Sequence, residues 1–452
     1  MKKLLCLIMA LMLCLTAAGC GGEGDKDKTD KKDENVEVIR IAKAAYHTEL
    51  DAWNEDDEYG EALRNMIAEI EGEENIRIQI DYYAPTEFGK LAQTAITNGD
   101  TSFADIMIMQ LFTFGPIYAQ GLLLDASELP GLDVSSDVWS KEFIDLATFG
   151  GKTYGVASPG LLGSGSTGAG MVYNKTLADS LGLEDPVQLA RDGKWTWDKL
   201  RELSLKAAKD LNNDGKFGDD DRFGCTSTSW DALVPVFFTS GVPTMVKTDD
   251  GRLVYNLLSD EANVVAQKLH STFTTADGMF YGAGFDAMQQ NEHFAAGKAV
   301  FLLGGLMKEN SEMTVEIMAL PVPKYTQDSE YVTATWHNAS IMTVPMIAER
   351  KELIGRVIQM LGEKSKDFQK YAINDASVGY VDRDTYVEMS SLSTKFVVDP
   401  CTIMINANEA ISVGTMRAIG TYIIDNRVPF SQLTQGNATA IQSLLDEMFN
   451  PK

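Results

Sequence analysis

Two hydrophobic periods trade places along this chain. Val36, Val38, Ile39 and Ile41 suit a first strand, and the ordered protein is expected to begin near Val36. Tyr59–Glu71 then carries Leu63, Met66, Ile67 and Ile70 at helical spacing. Ile76–Tyr83 (IRIQIDYY) alternates like a half-buried strand, Glu87–Asn98 is helical again, and Asp105–Met109 (DIMIM) is a short buried strand. Strand, helix, strand, helix, strand is the grammar of an α/β layer architecture. The grammar returns further on. Gly151–Val156 and Ala169–Asn174 read as strands, and Trp197–Lys209 as an amphipathic helix with Thr196 as its N-cap. Ala299–Leu303 and Ser340–Val344 read as buried strands, Glu349–Gly362 and the stretch around Ala438–Phe449 as helices.

Two stretches depart from this grammar. Leu4–Leu15 is an unbroken apolar run behind Lys2 and Lys3, and it leads into Ala17-Ala18-Gly19-Cys20. It is shorter than the ~20 residues a membrane span needs. The segment resembles the signal peptide and lipobox of a bacterial lipoprotein. That implies removal of residues 1–19, a lipid on Cys20, and a protein held at the extracellular face of the cell membrane. The alternative is an ordinary secretory signal with a chance cysteine. Gly21–Asn35 (GGEGDKDKTDKKDEN) has no aliphatic or aromatic residue, so residues 20–35 read as the lipidated cysteine and a solvated tether.

Composition narrows the function classes. The length of 452 residues allows two to three domains at ~150 residues each. The formal net charge of −26 repels phosphate backbones, so no nucleic-acid partner is expected. With Cys6 and Cys14 in the leader and Cys20 lipidated, Cys225 and Cys401 remain. They read as buried small apolar side chains, with a disulfide between them left open.

The four histidines (His47, His270, His293, His337) form no HExxH, there is no GxSxG elbow, and the glycine-rich Gly160–Gly170 lacks a P-loop lysine. One loop has ligand spacing. Asp210, Asn212 and Asp214 fall at positions one, three and five of a calcium loop, Gly215 at six, the Lys216 carbonyl at seven and Asp221 at twelve. Asp221 stands where a longer glutamate is usual, and no clear second helix follows. A structural Ca2+ is therefore expected, not a switch, and no other cofactor. The alternative is a solvated acidic turn. Tyr46, Trp53, Tyr83, Phe112, Trp230 and Trp336 lie in loops or just after strands, where flat faces with polar tips can hold a sugar ring or another semi-polar solute.

A series of segments in order carries a family resemblance. Gly150–Val156 (GGKTYGV) resembles a GGKxYG-hydrophobic crossing, Met171–Lys175 (MVYNK) a YNK strand, and Trp195–Leu200 (WTWDKL) a TWDEL helix start. Asp210–Gly224 resembles a DxNGDGxxDxYG-like segment, Phe294–Val300 (FAAGKAV) an FxxGKAAM segment, and Leu320–Pro323 (LPVP) a PLP stretch. Residues 36–450 thus resemble the extracellular solute-binding proteins of bacterial ABC importers, in particular the carbohydrate-type group related to maltose-binding protein.

The resemblance implies a two-lobed α/β periplasmic-binding-protein-like fold of class II type. The first lobe would be 36–155 plus 300–338 and the second 156–299 plus 339–452. Crossings would lie near Tyr154–Gly160, Gly297–Gly304 and Trp336–Ser340. Ligand contacts would fall at Tyr46, Tyr83, Gln110, Phe112, Trp230, Gly305 and Trp336. Leu306-Met307 stands where many members carry an aromatic residue, which removes one stacking platform. The implied protein is a monomer that catalyses no reaction. It captures a solute, a carbohydrate or oligosaccharide first of all, for the ABC permease subunits in the membrane. Rival readings are a binder of a non-sugar solute, a sensory partner, and a surface glycan-processing enzyme.

Overall fold

The computed structural model describes residues 36–449 apart from 45–55, 57, 160–169, 228–232, 249–250, 275, 282–291, 305–314, 336–338, 369–370, 372–379, 394, 406–408 and 425–427. The elements that position the site run in chain order. They are β1 (Glu37–Ala44), α1 (Glu58–Glu74), β2 (Ile76–Tyr82), α2 (Pro85–Thr97), β3 (Ile106–Gln110) and α3 (Leu111–Ala119). Then come β4 (Met171–Asn174), α4 (Trp197–Ala207), β5 (Phe223–Ser227), β6 (Phe280–Tyr281), β7 (Ala299–Leu303), β8 (Ile317–Leu320), β9 (Ser340–Thr343), α5 (Lys351–Lys364) and α6 (Phe430–Met448). Hydrophobic spacing placed most of these within a few residues. Thr196 caps α4 as expected, its side chain accepting from the Lys199 amide. The Gly151–Val156 stretch is less regular: only Lys152–Thr153 is a strand, in a hairpin with Thr148–Phe149.

Two sheets organise the chain. The first has the order β9-β3-β1-β2, with β1 parallel to β2 and β3 and with β9 antiparallel to β3. The second has the order β6-β5-β7-β4-β8, with β4 antiparallel to β7 and β8 and with β5, β6 and β7 parallel. β3 and β7 are buried at every position, as strands covered on both faces must be. α1 buries Leu63, Met66, Ile67 and Ile70, the residues its spacing singled out.

The sheets exchange two pieces of the expected lobes. Residues 300–338 were assigned to the first lobe, yet β7 and β8 pair with β4 and lie in the second sheet. Residues 339–452 were assigned to the second, yet β9 pairs with β3 in the first. α5 follows β9 there, with Arg356 on Glu74 and Lys364 on Glu69 and Glu73 of α1. The Gly297–Gly304 crossing is accordingly absent: that segment is β7, the middle strand of the second sheet. Apolar runs such as AVFLL and SIMTV announce burial, but pairing is decided by neighbours far along the chain.

Connectivity fixes which ends of the sheets meet. Val156 pairs antiparallel with Met342, so the chain leaves the first sheet toward the carboxyl end of β3. It joins the second at Met171, which pairs with Leu303 and Leu320 at the carboxyl end of β7. The return passes from Leu320 to Ser340, opposite Gln110. Both crossings therefore link the carboxyl edges of the two sheets. Ligands of open α/β sheets collect at these edges.

Candidate functional site

Gln110 closes β3 at the carboxyl edge of the first sheet. Its peptide carbonyl side passes directly into α3, whose first amide, at Leu111, donates to the Ala339 carbonyl at 2.9 Å. The side chain is fully buried, and neither Oε1 nor Nε2 has a hydrogen-bond partner among the described residues. A buried amide left unpaired costs about 1–3 kcal/mol, so this group is expensive to keep unless something else engages it. Register places Lys43 on the same face: Lys43 is level with Ile108, two residues before Gln110. Lys43 is buried as well, with Nζ 5.3 Å from the centre of the Tyr82 ring. Sequence reasoning passed over Lys43. The available signal was a lysine inside an otherwise apolar strand end, IAKAA.

Phe112 sits in the first turn of α3 and is almost wholly buried. α3 is locked by Gly115, where any Cβ would collide with the Ile403 carbonyl. That close approach holds Gln110 and Phe112 in place from behind. The Tyr83 amide donates to the Lys43 carbonyl at 2.9 Å. Tyr83 lies one residue beyond Tyr82, and its ring packs with Phe88 at 5.7 Å and Phe103 at 5.5 Å. Burial, and then Asp81 and Asp100, hold its hydroxyl above the usual phenol range. Tyr46, Trp230, Gly305 and Trp336 lie outside the described residues, as does Cys20. In sequence, each of the four follows the end of a described strand by two or three residues.

On the second sheet the carboxyl edge carries Ser227 and Leu303. Gly304 follows with φ +109°, a conformation that side chains resist, and its amide donates to Gly170 at 2.9 Å. Thr226 Oγ1 donates to the Tyr281 carbonyl at 3.2 Å. His293 stacks on Tyr281, with ring centres 3.9 Å apart. Burial, helped by Lys298, pushes its imidazole down to about 4, so it is neutral at pH 7 and packs as an aromatic ring. Cys225 and Cys401 are both buried free thiols.

The acidic loop stands at the amino end of β5, away from this edge. Its base is closed by Lys209 and Arg222, which exchange two backbone hydrogen bonds of 2.8 and 3.0 Å. Asp210 accepts from the Asn213 and Gly215 amides, Asn212 from Asp214, and Asp214 from Lys216. Asp221 is buried and accepts from Gly218 and Leu211, both at 2.8 Å. Those two amides hold its carboxyl below the usual carboxylate range. Gly215 takes φ +81°, the sharp turn expected of it. Among the described residues no group of three His, Cys, Asp or Glu side chains converges to hold a metal.

Two α/β sheets whose carboxyl edges are joined by chain crossings, with an unpaired buried amide at one edge, define a two-lobed solute-binding protein. The chain belongs to the bacterial extracellular solute-binding protein family, whose model matches residues 54–353. A comparison with curated proteins finds no match. Among solved structures, the ABC substrate-binding protein Lmo0181 of Listeria monocytogenes, in complex with cycloalternan, is 16% identical with a TM-score of 0.57. That match covers 92% of this chain and 100% of the other. A cyclo/maltodextrin-binding protein complexed with maltotetraose is 15% identical with a TM-score of 0.61, over 92% and 99% of the two chains. The cyclic α-maltosyl-1,6-maltose binding protein of Arthrobacter globiformis has the same identity and TM-score over 91% and 99%.

Proposed function

We propose that the protein captures a carbohydrate or oligosaccharide at its two carboxyl edges and delivers it to the permease of an ABC importer, without catalysing a reaction. The observation that carries this reading is Gln110. An amide offers one acceptor and two donors, and sugar hydroxyls both donate and accept, so a polyol can satisfy it where an apolar or singly charged solute cannot. The fold neighbours named above, in complex with cycloalternan and maltotetraose, support the same solute class. The lobes close on the solute by hinge motion, and the closed form is the one the permease reads.

A thermal-shift screen against mono- and oligosaccharides tests the reading. A cognate sugar at a hundredfold excess over Kd adds about 2.7 kcal/mol of stability, and micromolar affinity corresponds to about −8 kcal/mol. A shift with peptides or polyamines and none with any sugar overturns the solute class. Release of reducing ends from a bound glycan overturns the non-enzymatic reading.

The leader and Cys20 place the protein, in this proposal, as a lipid-anchored monomer outside the cell. No helix among the described residues is long and apolar enough to cross a membrane. Cys20→Ser should move the protein from the membrane fraction to the medium. The loop Asp210–Asp221 is proposed to take a structural Ca2+, supported by its ligand spacing and the turn at Gly215. Calorimetric titration should show calcium binding that the Asp210→Ala/Asp214→Ala double variant loses, and a flat titration removes the proposal.

A further inference from the structure

At the opposite end of the first sheet lies a cavity of about 380 Å3 that the solute site does not use. It is formed by the amino half of β1, the turn into β3 and the segment after β9. Arg40 and Arg350 both line it, in a chain with 65 acidic and 39 basic residues. The one buried carboxylate there, Asp105, is already engaged. Its Oδ2 accepts from Arg350 Nη2 at 2.6 Å and from the Arg40 amide at 2.9 Å. Arg350 Nη2 also donates to the Val38 carbonyl at 2.7 Å. This clamp fixes the Arg350 guanidinium and leaves its other donors without a partner among the described residues.

The Arg40 guanidinium has no hydrogen bond or ion pair among the described residues, although Glu349 stands on the exposed rim. A guanidinium normally finds a carboxylate in so acidic a protein. Here two of them share a concave space that Thr101 and Ser102 also line. We infer that this cavity binds a phosphate group, held bidentately by Arg40 and from the side by the clamped Arg350. The planar fork of a guanidinium matches two oxygens of such an anion, and the volume suits a small ligand. Two sources share this chemistry: free phosphate, and the phosphate ester of a lipid headgroup. The second rests on the lipid anchor proposed above, and β1 begins with Glu37 at this same edge.

Calorimetric titration of the full chain at low ionic strength, with inorganic phosphate and separately with glycerol phosphate, tests the inference. Saturable binding in the submillimolar range is expected with at least one of them, weakened about tenfold or more in Arg40→Gln. Arg40→Gln should melt close to the wild-type temperature without phosphate, because its side chain makes no hydrogen bond or ion pair among the described residues. Arg350 is left intact because it anchors Asp105. Binding of glycerol phosphate alone assigns the ester, and binding of inorganic phosphate assigns the free ion. No saturable heat with either probe, or heat that Arg40→Gln retains in full, overturns the site.

Discussion

Gln110→Met is expected to make the protein more stable and its solute binding at least tenfold weaker. The reasoning starts from the unpaired amide. Gln110 is fully buried at the end of β3 with both polar atoms unsatisfied. Methionine keeps the unbranched shape and volume while removing the polar atoms, so the unliganded protein should gain about 1–3 kcal/mol. The sugar, in the proposed function, loses the group that pairs with its hydroxyls. A missing partner for a buried polar group typically costs a factor of ten or more in binding. Urea denaturation and calorimetry with the cognate sugar read the two effects on one sample. A variant that is less stable yet binds as well as wild type would show Gln110 to be a packing residue.

Trp195→Ala should cost about 3–5 kcal/mol, the range for deleting a large aromatic from a core. Trp195 is completely buried, its indole donates to the Pro321 carbonyl at 3.0 Å, and its ring lies 5.4 Å from Phe301 of β7. Its own carbonyl accepts from Lys324 at 3.0 Å. It therefore pins the segment leaving β8, where the chain sets out on its return crossing. The neighbouring Trp197 is equally buried, but its indole nitrogen has no partner among the described residues. Trp195→Phe, which orphans the Pro321 carbonyl, should thus lower the urea midpoint more than Trp197→Phe. Equal shifts for the two phenylalanine variants, or a loss below about 1 kcal/mol for Trp195→Ala, would contradict this account.

The layer grammar was legible because periodicity reports burial, and burial is what these elements share. The Leu63, Met66, Ile67 and Ile70 stripe and the five buried positions of Ala299–Leu303 needed nothing else. Pairing was not legible. AVFLL and SIMTV look alike, and only the register with Met171–Asn174 or with Ile106–Gln110 sorts them between sheets. α3 went unseen because Gly115 and Pro116 interrupt its pattern. At the site, Gln110 and Phe112 were named through family resemblance. Lys43 was missed because its burial depends on three strands converging. Tyr83 was named by the same resemblance, and what its ring packs against, Phe88 and Phe103, was not readable from the sequence.

Two contacts tie the outward crossing to the first sheet and its covering helix. Val156, on the outward crossing, pairs with Met342, just past the return. Two residues on, Ser158 hydrogen-bonds Ser365, the residue that ends α5. Bodies joined at several neighbouring points along a line keep one soft degree of freedom, rotation about that line, while slide and twist are opposed by paired backbone. In the proposed function, occupancy of the site would then be read out as a single angle.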